Sequence, residues 1–218
     1  MAAFFLDNFV EAVDTSLASH TPNTGTSWSV VFNDDATTVY EVVGGLGEAQ
    51  QANSIANTGV IYNANATYPS ANYEVQMTLV SQTSAAASTY LIVRMTDVDN
   101  LYAVRLSAEA GTGTSQLYKK VTGIWTALGS TFTTPAAGSV CKLQISGTTL
   151  KFFDDTVEVA SATDSDLSAT GKGGLAGGGG AELVNANNDM NVGTNIDTYS
   201  ITEVAAGTKL LTLLGVGT

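Results

Sequence analysis

The chain has 218 residues, with 8 Lys plus Arg against 20 Asp plus Glu, one His and one Cys, for a formal net charge of -12. Charged residues make up only 13% while 44% are hydrophobic. This balance excludes a basic nucleic-acid footprint, a polybasic membrane patch, a disulfide framework and an intrinsically disordered chain. Solubility must rest on Thr, Ser, Asn and backbone, as on the surface of a β-protein.

In chain order, MAAFFLDNF opens on an apolar pair without a basic region or an adequate hydrophobic stretch, so no secretory signal is expected. No Lys or Arg precedes Arg94, whereas Asp7, Glu11, Asp14, Asp34, Asp35, Glu41, Glu48 and Glu74 all do. Such a stretch is either a solvated acidic surface or a face that meets cations or a basic partner. Runs rich in Val, Ile, Tyr, Phe and Thr predict strands over 27–32, 39–43, 60–62, 73–81, 90–96, 102–107, 116–121, 140–146, 149–153 and 198–203. Short helical turns are expected only within 6–19 or 46–56. Over 73–81 the residues Tyr73, Val75, Met77 and Leu79 share one face, opposite Glu74, Gln76 and Thr78. Ser146-Gly147-Thr148 reads as a compact hairpin turn. Asp97-Val98-Asp99-Asn100 reads as another turn, its Asx side chains capping backbone groups.

The Gly-rich tract 171–180 (GKGGLAGGGG) has a linker's composition, yet a strand pattern follows it. Tight turns and close strand approach explain its glycines better, and one domain is expected over residues 1–204. Residues 205–218 form an apolar extension (TKLLTLLGVGT over 208–218), too short to span a bilayer and expected to pack on its own body or on a neighbouring subunit.

Several segments together carry a resemblance. Asp7-Asn8-Phe9, Leu17, His20-Thr21-Pro22, Gly25 and Trp28 come first. Arg94-Met95-Thr96-Asp97, Asn100, Tyr102 and Val104 follow, then Leu117-Tyr118-Lys119, Gly123-Ile124-Trp125 and Gly147-Thr148-Thr149-Leu150. Thr170 to Leu175 and Ile196 to Ile201 close the series. This ordered set, spanning about 4–204, is similar to concanavalin A-like, laminin-G-like jelly-roll domains that recur in bacteriophage virion proteins and bacterial surface proteins. The resemblance implies an all-β, antiparallel jelly-roll β-sandwich. It also implies a structural calcium near the first and last strands, where Asp7 and Asp197 are the matching positions, and a loop role for His20.

The chemistry-bearing inventory is thin. Glycosidases of this fold carry carboxylates spaced E-x-D-x-x-E, and no such triplet occurs. His20 lacks a G-x-S-x-G partner, Cys141 sits among apolar neighbours, and the Gly tract lacks a phosphate loop's Lys-Ser/Thr ending. No enzymatic activity is therefore expected. The leading expectation is a bacteriophage virion structural protein, a capsid decoration protein on the particle exterior, made in the host cytoplasm. It would contact the major capsid protein or other virion proteins and assemble as a homo-oligomer, for instance a trimer. Leu210, Leu211, Leu213 and Leu214 are the expected anchors, with Phe4 and Phe5 secondary. The alternative is a carbohydrate-binding module of a fibre or tail. In that reading Tyr62, Tyr68, Tyr118 and Trp125 would stack on sugars, with Asn63 and Asn65 nearby. Neither nucleic acid nor a membrane is an expected partner.

Overall fold

Tyr73, Val75, Met77 and Leu79 are fully buried, while Glu74, Gln76 and Thr78 between them stay partly exposed. Cys141, Leu143 and Ile145, then Leu150 and Phe152, repeat the same alternation on the next two strands. A period of two with one apolar face makes a half-buried strand, and such strands need a second sheet to cover them. The computed structural model supplies it, describing residues 2–35, 39–51, 58–82, 88–107, 113–179, 182–184 and 194–204.

The larger sheet has nine strands in the order β14 (Val157–Thr163), β13 (Thr149–Asp154), β12 (Val140–Ser146), β7 (Tyr73–Gln82), β16 (Thr194–Glu203), β5 (Glu48–Gln51), β4 (Tyr40–Val43) and β2 (Thr15–Ser16). The ninth, β1 (Ala3–Asp7), shares an edge of β16 with β5. The smaller sheet has seven, ordered β11 (Ile124–Thr133), β10 (Thr114–Val121), β9 (Asn100–Ser107), β8 (Ser88–Asp97), β15 (Lys172–Gly178), β6 (Gly59–Asn65) and β3 (Ser27–Asn33). Neighbouring strands pair antiparallel throughout. The expected all-β antiparallel sandwich is what forms.

The core lies between the sheets and is rich in aromatics. Trp28 meets Tyr199 at 4.8 Å and Phe5 at 5.0 Å between ring centroids, both edge to face. Each such pair contributes about 0.5–1.5 kcal/mol beyond area burial. This corrects the expectation for Phe5, which is fully buried in the core and presents nothing to a partner. Phe4 also packs inward, its ring 5.1 Å from Tyr68 and 6.4 Å from Tyr73. Leu210, Leu211, Leu213, Leu214 and the rest of the 205–218 extension lie outside the described residues.

Two further expectations change. The tract expected to permit tight turns and close strand approach does approach its neighbours closely, but as a strand: it forms β15, an interior strand held between β8 and β6. A Cβ at Gly173 would stand 2.7 Å from both Ile201 Cδ1 and Val75 Cγ1, and one at Gly177 2.8 Å from the Tyr40 ring. Glycine lets the facing sheet's side chains press against the strand backbone. Of the candidate helical stretches, the first yields only a 3-10 turn at Leu17–Ser19, and the second contains β5.

Candidate functional site

Alternation on the smaller sheet splits its residues between two apolar clusters. Leu91 and Val93 of β8 point into the core, whereas Tyr90 and Ile92 point out. Ile61, Leu101, Ala103 and Ala176 share that outer face, yet all are buried. Residues 182–184 cover them. Leu183 is buried against this cluster. The Tyr90 hydroxyl donates to Val184 O at 3.0 Å, and Trp125 Nε1 and Lys120 Nζ donate to Glu182 O at 3.1 and 3.0 Å. Lys120 also pairs with the Glu182 carboxylate and lies 3.8 Å from Asp99 Oδ1.

Beyond this cover the outer face turns polar. A cleft of about 280 Å3 opens there, lined by Val31, Asn63, Met95, Thr96, Asp97, Thr170, Gly171 and Lys172. That volume is close to the lower bound for small-molecule sites, about 300 Å3. The cleft owes its shape to a bulge. Between Val93 and Asp97 the β8–β9 register shifts, and Arg94 adopts a left-handed φ of 51°. Its backbone N–H donates to the Tyr73 hydroxyl at 2.6 Å, and its side chain donates to Ala71 O at 3.0 Å and Leu167 O at 2.9 Å. Such bulges re-aim side chains beside functional sites.

Three features of the lining bear on chemistry. Asn63 Oδ1 is buried without a hydrogen-bond partner among the described residues. An amide oxygen left so costs about 1–3 kcal/mol, which a donor from a ligand would recover. Lys172 Nζ donates to Asn65 Oδ1 at 2.6 Å, and Asn65 Nδ2 donates to Ser27 Oγ and Ser29 Oγ. Asp97 caps the β8–β9 turn, its Oδ1 accepting from Asp99 N at 2.8 Å and from Asn100 Nδ2 at 2.9 Å, which fulfils the turn expectation. Thr96 and Thr170 bring hydroxyls, and Val31 and Met95 an apolar surface. An acceptor, a cation, hydroxyls and an apolar surface together suit a small polyhydroxylated ligand.

The four aromatics expected to stack on sugars separate. Tyr62 is fully buried between the sheets, accepting from Tyr40 N at 3.2 Å, and burial pushes its phenol up to about 12. Tyr68 is half-buried, donates to Ala64 O and accepts from Gly173 N; burial likewise raises its pKa. Tyr62 therefore offers no ring face to a sugar, which corrects that assignment, and Tyr68 packs against Phe4 and Tyr73 and does not line the cleft. Tyr118 and Trp125 do meet on the outer face, 6.1 Å apart and edge to face. They sit on β10 and β11 beside the 182–184 segment, however, and do not line the cleft. Of the amides, Asn63 enters the cleft and Asn65 orients its lysine. Sequence reasoning missed Lys172, Met95, Thr96 and Thr170. The one available signal was Asn63 itself, a polar side chain on the same face as Ile61.

The expected calcium position also changes. Asp7 is fully buried, and N–H donors occupy both carboxylate oxygens: Phe9 N and His20 Nε2 reach Oδ1 at 2.8 and 2.7 Å, and Trp28 Nε1 reaches Oδ2 at 2.6 Å. Asp197 stands opposite Glu48 on β5, whereas Asp7 stands opposite Tyr199. Calcium requires six to eight oxygen ligands, and a carboxylate saturated by N–H groups does not fit that role. Among the described residues no group of three or more His, Cys, Asp or Glu is placed to hold a metal.

No protein-family model matches the sequence, and no curated protein does either. Solved structures do match by fold. The carbohydrate-binding module CBM66 from Bacillus subtilis aligns with a TM-score of 0.52 at 16% identity, over 81% of this chain and 95% of its own. A prokaryotic beta-1,3-1,4-glucanase (lichenase) from a mouse hindgut metagenome aligns at 0.56 and 9% identity, over 88% and 98%. Bacillus licheniformis beta-glucanase aligns at 0.54 and 12% identity, over 88% and 99%. The fold is thus the concanavalin A-like jelly roll. The expectation of no enzymatic activity does not stand against these neighbours, two of which are glucanases. None of the three is a virion protein, and the expected leucine anchors of the 205–218 extension lie outside the described residues.

Proposed function

We propose that this chain is a glycan-binding sandwich that seats one sugar unit in the cleft on the outer face of its smaller sheet. The observation that carries this reading is that Asn63, whose Oδ1 is buried and unpartnered among the described residues, lines the same cleft as Lys172. A sugar hydroxyl supplies the missing donor, Thr96 and Thr170 supply further hydrogen bonds, and Val31 and Met95 meet the ring's C–H surface. The fold supports the reading because a carbohydrate-binding module shares it. Function still rests on the site, since one fold hosts many activities.

A glycan array followed by titration calorimetry tests the proposal. Wild type is expected to bind at least one glycan saturably, and Asn63→Ala to weaken that binding about tenfold without lowering the melting temperature. Reducing-sugar release is measured on the same glycans, and turnover there would extend the function from binding to hydrolysis. Absence of binding across the array overturns the proposal, as does unchanged affinity in Asn63→Ala.

A further inference from the structure

Two groups in the cleft lack complements of opposite kinds. Asn63 Oδ1 is an acceptor without a donor. Lys172 is a cation without an anion: Lys119, Lys120, Lys142 and Lys151 each have a carboxylate within 4 Å, and Lys172 alone among the described lysines has none. Its one bonded partner is the neutral Asn65 amide oxygen, at 2.6 Å. Arg94 and Arg105 also lack a carboxylate, but their guanidinium groups each donate to two protein oxygens, Ala71 O and Leu167 O for Arg94 and Ser88 Oγ and Ser107 Oγ for Arg105, whereas Lys172 borders the cleft with one.

Asp97, the one acid in the lining, does not take that place. Its carboxylate is turned to the β8–β9 turn, where Thr96 Oγ1, Asp99 N and Asn100 Nδ2 donate to it. A complementary ligand therefore carries a hydroxyl donor and an anionic group close together. A uronic acid has both on one ring. A neutral sugar satisfies Asn63 and leaves Lys172 as it is.

We infer that the sugar unit held in this cleft is a uronic acid, its carboxylate accepting from Lys172 Nζ and one of its hydroxyls donating to Asn63 Oδ1. This inference rests on the glycan-binding reading above and narrows it to a ligand class. Charge-assisted hydrogen bonds in a partly enclosed site are worth more than neutral ones, so the acid form gains selectivity over its uncharged analogues.

The test is calorimetric titration of the full chain with galacturonate and glucuronate oligosaccharides, their methyl esters, neutral gluco- and xylo-oligosaccharides, and sulfated oligosaccharides. The acid is expected to bind about tenfold or more tightly than its ester, which keeps the hydroxyls and loses only the charge. Lys172→Gln should level acid and ester, and Lys172→Arg should retain the difference. Asn63→Asp, which sets a second carboxylate in the cleft, should weaken the acid more than a neutral ligand. Equal affinity for acid and ester, or preference for a neutral or sulfated oligosaccharide, overturns this inference and leaves glycan binding standing. Failure of every glycan to bind overturns both.

Discussion

Asp7 shows how one residue carries several jobs in this chain. Its carboxylate takes three N–H donors in a fully buried position, and the ring of His20 bridges it at 2.7 Å to Glu11, also at 2.7 Å. Trp28 is among those donors, so the same group that positions the N-terminal segment also orients the largest core side chain. Asp7→Asn replaces an acceptor with a group that is half donor, and leaves at least one of these N–H groups facing another. Breaking a buried charged network from one side costs about 3 kcal/mol or more. The variant should lower the urea midpoint accordingly; a midpoint equal to that of wild type would show the network to be dispensable. A motif of Asp, His and Trp spread over residues 7–28 was visible in the sequence, but its residues were assigned to a metal and a loop. Spacing alone does not tell an acid that binds a cation from one that binds N–H groups.

At the scale of elements, the β8 bulge and the start of β15 form one unit. The backbone of Gly171 lies so close to Arg94 that an added Cβ would clash with the Arg94 carbonyl carbon and stand 2.7 Å from its oxygen. Gly171→Ala should therefore push the two strands apart, costing about 1–3 kcal/mol. It should also lower affinity for any cleft ligand, because Met95, Thr96 and Lys172 move with those strands. A thermal melt and a binding titration on the same variant check both halves of this expectation. Strands with one apolar face, such as β7, β12 and β13, were legible from alternation. β15 was not, because glycine carries no side-chain pattern and its packing is made by Tyr40, Val75 and Ile201 from the other sheet. β11 and β14 were missed for the opposite reason: their residues are mostly exposed and show no buried face to read. The cleft drew on β3, β6, β8 and β15, which meet only in space, and a left-handed Arg94 has no signature in sequence.

For the molecule as a whole, the acidic first 93 residues are explained in part by their partners. Besides Asp7 and Glu11, Asp14 accepts from Gly44 N, Asp34 from Gly59 N, Glu48 from Asn195 Nδ2 and Glu74 from Gln144 Nε2. Backbone and amide N–H groups serve these carboxylates, and Glu74 has Lys142 at 3.6 Å as well. Tyrosines set a second global property. Seven of the eight have phenols raised by burial, Tyr40, Tyr62 and Tyr102 to about 12 and Tyr68, Tyr73, Tyr90 and Tyr199 further still or well above the ordinary value of 10. The unfolded chain sheds these protons first, so it binds fewer than the native state above pH 10. Stability is then full below about pH 10 and falls as pH rises toward 12, by about 1.4 kcal/mol per pH unit for each tyrosine. Melting temperatures should hold between about pH 7 and 9 and drop steeply above about 10, with phenolate absorbance rising together with unfolding. Phenolate appearing well before the melt would contradict this.

The three residues 182–184 have a consequence for how a polymer can meet this surface. They bridge from the Tyr90 hydroxyl on β8 to Lys120 on β10 and Trp125 on β11, and so lie across the route that a straight chain would follow over the seven strands. On the glycan-binding reading, a polymer extending from the cleft across β8 toward β11 would have to pass over this segment.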